Sequence, residues 1–142
     1  MECTERTLKL WKVCRMHRKL TITRMYEGGI TAGQPPVLMA LWQSDGCTQS
    51  ELSKRCQLEP ATITSTLSTM ERDKLVERRA DPKDRRVWRI FLTEQGRKAH
   101  DAVCGIQNSV SEICFRGFSE EDTEQALRYI ERMIENMQEK GV

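Results

Sequence analysis

The tightest constraint on the fold lies between residues 48 and 96, where two short capped helices run directly into a stretch of β period. Thr48-Gln49-Ser50-Glu51 is a capping box, in which the first side chain and the fourth satisfy each other's backbone amides. It opens a helix over residues 49–56 with Leu52 and Cys56 on its apolar side. Gln57-Leu58-Glu59 turns the chain, and Pro60 takes a first-turn position, where its missing N–H has no partner to lose. Ile63, Leu67 and Met70 then recur at helical spacing over residues 60–73. After Lys74 the period changes. Residues 75–79 and 87–92 predict two strands joined by a charged turn over 80–86.

The flanks are helical. Residues 5–25 carry Leu8, Trp11, Val13, Cys14, Leu20, Ile22 and Met25 at imperfect helical spacing, and Gly28-Gly29 ends that run. Thr31-Ala32-Gly33-Gln34 matches a second capping box. Pro35-Pro36 follows in a first turn, and Val37, Leu38, Leu41 and Trp42 form a stripe as far as Asp45-Gly46. Thr93-Glu94-Gln95-Gly96 restarts helix to about residue 117, and Ser119 to Asp122 caps a last one. In that last helix Leu127, Ile130, Ile134 and Met137 step by three, four and three, the spacing of a helix-packing seam. The expected class is mainly α with a small β-hairpin wing.

Charge is unevenly placed. The net value is only +2, yet residues 72–89 are rich in Lys and Arg, while the segment after Ser119 is acidic. One surface is therefore suited to a polyanion. No apolar run approaches the ~20 residues of a membrane span, and the N-terminal residues carry no apolar signal region, so a cytoplasmic chain without membrane contact is expected. Cysteines at positions 3, 14, 47, 56, 104 and 114 form no CxxC pair, and with only His17 and His100 there is no zinc-ligand spacing. Cys14, among Lys12, Arg15 and Arg18, is the redox candidate. No Gly-rich phosphate loop and no nucleophile with a paired base stand out, so an enzyme, a cofactor and a metal are not expected.

Two short helices joined by a tight turn are the helix-turn-helix layout, whose second helix enters the major groove. Residues 60–72 carry Thr62, Thr64, Ser65, Thr66, Ser68 and Thr69 where a solvated helix face normally carries Glu and Lys. Hydroxyls are poor helix formers, but they are short, donate or accept, and threonine methyls fit thymine methyls. The hairpin tip concentrates Lys83, Arg85 and Arg86, a form suited to minor-groove insertion, with Asp84 holding a neighbouring arginine by ion pairing. Helix N-termini after Thr48 and Glu59 can face phosphates, with Ser50, Arg55, Arg72 and Arg79 as helpers.

The order ITAGQPPVLMAL, CTQSELSKRC and LEPATITSTLSTMERDKLVERRADPKDRRVWRIFLTEQG resembles the MarR family of winged helix-turn-helix regulators, from about Leu8 onward. The most specific part is the DxxDRR tip followed by LTxxG. The resemblance implies a homodimer on a pseudo-palindromic double-stranded operator, usually as a repressor. Residues 1–30 and 97–142 would form a helical dimerisation lobe and residues 31–96 the DNA-binding lobe. It makes Arg86 the minor-groove arginine, supported by Asp84 and Arg85, and puts Ala61, Thr62 and Ser65 at base-facing positions; Pro60, which opens the same helix, is a DNA-side candidate from its position alone. Many members have arginine where this chain has Ser65, so the resemblance directs specificity here toward shape and thymine contacts. A small aromatic or phenolic anion effector is also implied, with Arg15, His17, Arg18, Met25, Tyr26, Trp42, His100 and Cys104 as candidate lining. Peroxide-sensing members carry their cysteine earlier in the first helix than Cys14. The alternatives are a thiol redox-responsive regulator on the same scaffold and a winged-helix interaction module that does not touch DNA.

Overall fold

A computed structural model describes residues 3–31 and 33–140. The elements are α1 (Glu5–Glu27), α2 (Gln34–Gln43), β1 (Cys47–Thr48), α3 (Gln49–Cys56), α4 (Pro60–Arg72), β2 (Val76–Ala80), β3 (Trp88–Leu92), α5 (Glu94–Cys114) and α6 (Glu120–Gln138). The chain is mainly helical with a small antiparallel sheet, as expected. The first helix runs two residues past the predicted end, and the fifth stops at Cys114 rather than near 117. The chain divides into two compact units at Asn108 and Ser109.

The first unit holds the helix-turn-helix and the sheet. Val37, Leu38 and Leu41 of α2, Leu52 of α3 and Ile63, Leu67 and Met70 of α4 are fully buried in one cluster with Ile90 of β3 and Val103 of α5. Each such side chain contributes about 1.5–3 kcal/mol by leaving water. Met25 and Ile30 join this same cluster, so the end of α1 packs into the core of the DNA-binding elements.

Local chemistry fixes most of the boundaries. The Thr48 capping box forms in full: Glu51 N–H donates to the Thr48 hydroxyl at 3.2 Å, and Thr48 N–H donates to Glu51 Oε2 at 2.7 Å. The hydrogen-bonded amide is the main cause holding the Glu51 carboxyl below its usual pKa. The expected box at Thr31 is only half made. Gln34 Oε1 accepts from Thr31 N–H at 3.4 Å, but Gly33 is the N-cap and no side chain caps α2.

The sheet has three strands where two were expected. Its order is β1-β3-β2, with Cys47 opposite Ile90 and Val76 opposite Leu92. β1 is two residues long, too short to leave an alternating pattern in the sequence. The LTxxG segment joins the sheet to α5. The Thr93 hydroxyl donates to Lys74 O at 2.6 Å and accepts from Gly96 N–H at 3.0 Å. A Cβ on Gly96 would stand 2.0 Å from the Leu75 carbonyl oxygen, so only glycine fits there.

In the second unit, Ser119 and Asp122 complete the predicted capping box at the start of α6. No α6 residue is buried. Leu127, Ile130, Ile134 and Met137 are each 45–52% exposed, so the seam read from the sequence is uncovered in a single chain. No described helix is long and apolar enough to cross a membrane.

Candidate nucleic-acid interface

α4 buries Ile63, Leu67 and Met70 and leaves Ala61, Thr62, Thr64, Ser65 and Ser68 exposed, with Thr69 at the margin. Thr66 is a correction to the hydroxyl row. It turns toward α2, where a Cβ on Gly33 would come within 2.8 Å of its hydroxyl. The remaining hydroxyls are not equivalent. Thr64, Ser68 and Thr69 donate to the carbonyls of Pro60, Thr64 and Ser65 at 2.9, 3.0 and 3.2 Å. Their protons are committed to the helix, so toward a ligand they can only accept.

Thr64 is more committed still. Its oxygen also accepts from Gln49 Nε2 at 2.6 Å, which ties the start of α3 to the reading helix. Gln49 was not singled out from the sequence, because the contact spans fifteen residues. Ser50 is exposed at the first turn of α3.

The wing is braced by its own carboxylates. Asp81, only 8% exposed, accepts the amides of Lys83 at 2.7 Å and Asp84 at 3.3 Å. Its other oxygen accepts from Arg89 Nε. Arg89 in turn donates to Gly46 O at 3.0 Å, joining the tip to the residue that precedes β1. The Arg89 hydrogen bond, then the Lys83 amide, holds the Asp81 carboxyl below the usual carboxylate range. This Asp81–Arg89 brace was also missed, since it appears only once the hairpin register is known.

Asp84 does what the sequence predicted. It accepts from Arg86 N–H at 3.1 Å and from the Arg86 guanidinium at 3.1 and 3.2 Å, and that pairing lowers its pKa. The Arg86 side chain is 91% exposed even so, which leaves its outer face available. Lys83 and Arg85 are exposed and make no ion pair among the described residues. Arg79 pairs with Glu77 and lies over the Phe91 ring, while Arg72 pairs with Asp73. Those two arginines are more tied down than Lys83 and Arg85.

A structured helix face and a cationic ribbon are thus held on one core. The MarR family model matches residues 30–88. The transcriptional regulator HosA of Escherichia coli O111:H- is 30% identical over 105 residues, covering 74% of this chain and 78% of HosA. The chain belongs to the MarR family. An S. aureus MepR mutant solved bound to an oligodeoxyribonucleotide is 28% identical, with a TM-score of 0.69 over 96% of this chain and 99% of that one. The HTH-type transcriptional regulator YdgJ of Bacillus subtilis (strain 168) is 28% identical over 96 residues; that match covers 68% of this MarR-family chain and 58% of YdgJ.

The candidate effector residues do not form one group. Arg15 and Arg18 share an open basin on α1 with Trp11, Cys14, Lys19 and Ile22, and the Arg15 guanidinium lies 4.9 Å from the Trp11 ring centroid. His17 is exposed elsewhere on α1, and Tyr26 is 82% exposed at its end. Trp42, on α2, instead stacks on His100 with ring centroids 4.1 Å apart. His100 Nε2 lies 3.5 Å from Cys104 Sγ. A thiol and a base are therefore paired, contrary to the expectation that no such pair exists in this chain.

Proposed function

We propose that this chain is a sequence-specific double-stranded DNA-binding regulator that acts as a homodimer on a pseudo-palindromic operator and represses transcription there. The observation that carries this reading is the exposed Ala61-Thr62-Thr64-Ser65-Ser68 face of α4 beside a wing tip bearing Lys83, Arg85 and Arg86. The helix offers short groups to base edges in the major groove. Arg86 suits the minor groove, where negative potential is focused, with Asp84 presetting its direction. Ser50, Arg72 and Arg79 are assigned to phosphates, and Pro60 to the helix start that faces them. The oligonucleotide-bound MepR mutant supports carrying DNA binding to this chain.

The dimer is supported by the uncovered apolar stripe of α6 and by Leu8, Trp11 and Met16 of α1, each at least half exposed. Residues 1–30 and 97–142 are assigned to that lobe. Two reading helices must stand ~34 Å apart to enter successive major grooves. An aromatic or phenolic anion held near Arg15 and Arg18 would act by shifting the population of that spacing.

Selection of binding sites from random duplex DNA tests the reading. It predicts an enriched inverted repeat with half-site centres about ten base pairs apart. A repeat with no enriched symmetry would contradict it, as would no enrichment at all.

A further inference from the structure

DNA binding leaves one buried titratable cluster unused. His100 is 5% exposed. Its Nδ1 lies 3.1 Å from Asp101 Oδ1 and its Nε2 3.5 Å from Cys104 Sγ. An ionised carboxylate only accepts, so the first contact puts the ring proton on Nδ1. Nε2 then carries the lone pair, and the Cys104 thiol donates to it. The spacing of four residues keeps sulfur and base on one face of α5.

Cys104 is partly exposed, and a Cβ added at the adjacent Gly105 would meet nothing within 4 Å, so the helix surface beside it is open. The other cysteines differ. Cys47 is buried and donates to Ser44 O at 3.0 Å, and burial pushes the Cys56 thiol pKa up. Cys3, Cys14 and Cys114 are exposed, with no imidazole partner among the described residues.

We propose that Cys104 is a nucleophilic modification site, with His100 as its base, for small planar electrophiles of the α,β-unsaturated carbonyl class. His100 Nε2 takes the thiol proton as the sulfur lone pair forms an S–C bond to the β-carbon. The C=C π pair moves to the enolate, and the imidazolium returns the proton to the α-carbon. Nothing leaves, and no oxidant or reductant is consumed. The half-exposed Trp42 indole, stacked on His100 with 9° between planes, extends a flat apolar surface from the site.

The adduct is coupled to the wing through contacts in the first unit. Arg97 lies 5.8 Å from the Trp42 ring centroid and donates to Asp45 at 2.9 Å; Asp45 also accepts the Leu92 amide at 2.9 Å, at the end of β3. A group added at Cys104 crowds His100 and disturbs the Trp42 stack that supports this chain of contacts. That coupling rests on the proposed DNA-binding function, whereas the reactivity of Cys104 does not.

The test treats the full chain, free of DNA, with 2-cyclohexen-1-one and reads adduct formation at each cysteine by peptide mass spectrometry. Cys104 should react faster than the more exposed Cys14 and Cys114. His100→Gln should slow it roughly ten-fold or more, and Asp101→Asn, at an exposed position, should slow it several-fold. A Cys104 rate equal to that of Cys14, or indifferent to both substitutions, overturns the site. Alkylated wild type should then bind the selected operator several-fold more weakly than alkylated Cys104→Ser; equal binding overturns the coupling. If the untreated protein binds no DNA, the proposed function fails, and the adduct rates still decide the site.

Discussion

Thr64 commits its proton to the Pro60 carbonyl and one lone pair to the Gln49 amide, so the methyl is the group it can offer a base without disturbing that network. Thymine is the base with a methyl in the major groove. Replacing the facing thymine by uracil should weaken wild-type binding by roughly four-fold, the worth of about one buried methyl group. Thr64→Ser keeps the hydrogen bonds and should lose that discrimination in the same titration. Equal thymine preference in both proteins would remove Thr64 from the readout. The Asp81 brace belongs to this scale too. Its folded pKa is depressed by Arg89, so its stabilisation is present above the unfolded carboxylate value of about 3.9 and is lost as pH falls through the lower folded value. Melting temperature followed below pH ~4 should fall less steeply in Asp81→Asn than in wild type. Parallel curves would mean the brace does not contribute.

At the scale of elements, α3 and α4 were legible because caps and period agreed. The Thr48 box, Pro60 and the Ile63-Leu67-Met70 stripe each stand where the structure has them. What failed to show did so for physical reasons. β1 is too short to have a period, and its pairing with β3 needs a partner more than forty residues away. Thr66 sits one turn from exposed hydroxyls, yet faces Gly33, which only the packing of α2 on α4 reveals. The Asp84–Arg86 pair was visible because it is local, while Asp81–Arg89 depends on hairpin register. His100 and Cys104 stand four residues apart on α5, but only the Trp42 stack, from another helix, shows how the ring is turned so that Nε2 meets the sulfur. The joint of sheet and α5 supplies a prediction. Gly96→Ala puts a Cβ against the Leu75 carbonyl and should lower stability by at least as much as a core deletion such as Leu67→Ala, about 2–5 kcal/mol. Denaturant unfolding of both variants checks this, and a neutral Gly96→Ala would contradict the close approach.

At the scale of the whole molecule, a single chain leaves apolar stripes bare on α1 and α6. Ile134 is 45% exposed on α6. Placing a charge in a buried seam is costly, so Ile134→Glu should shift the protein toward the 16.5 kDa single chain in sedimentation, and operator binding should weaken with it. A variant that sediments like wild type would place the dimer contact elsewhere. If α4 and the wing grip DNA, the wing cations must contribute to affinity and to its salt dependence. Operator affinity should be measured from about 50 to 200 mM salt for wild type and for the Lys83→Ala, Arg85→Ala, Arg86→Ala triple variant. Phosphate contacts release counterions, so wild-type affinity should fall steeply with salt, and the variant should bind more weakly with a slope shallower by roughly one per lost phosphate contact. Identical affinity and slope in the two proteins would mean that the wing does not touch DNA.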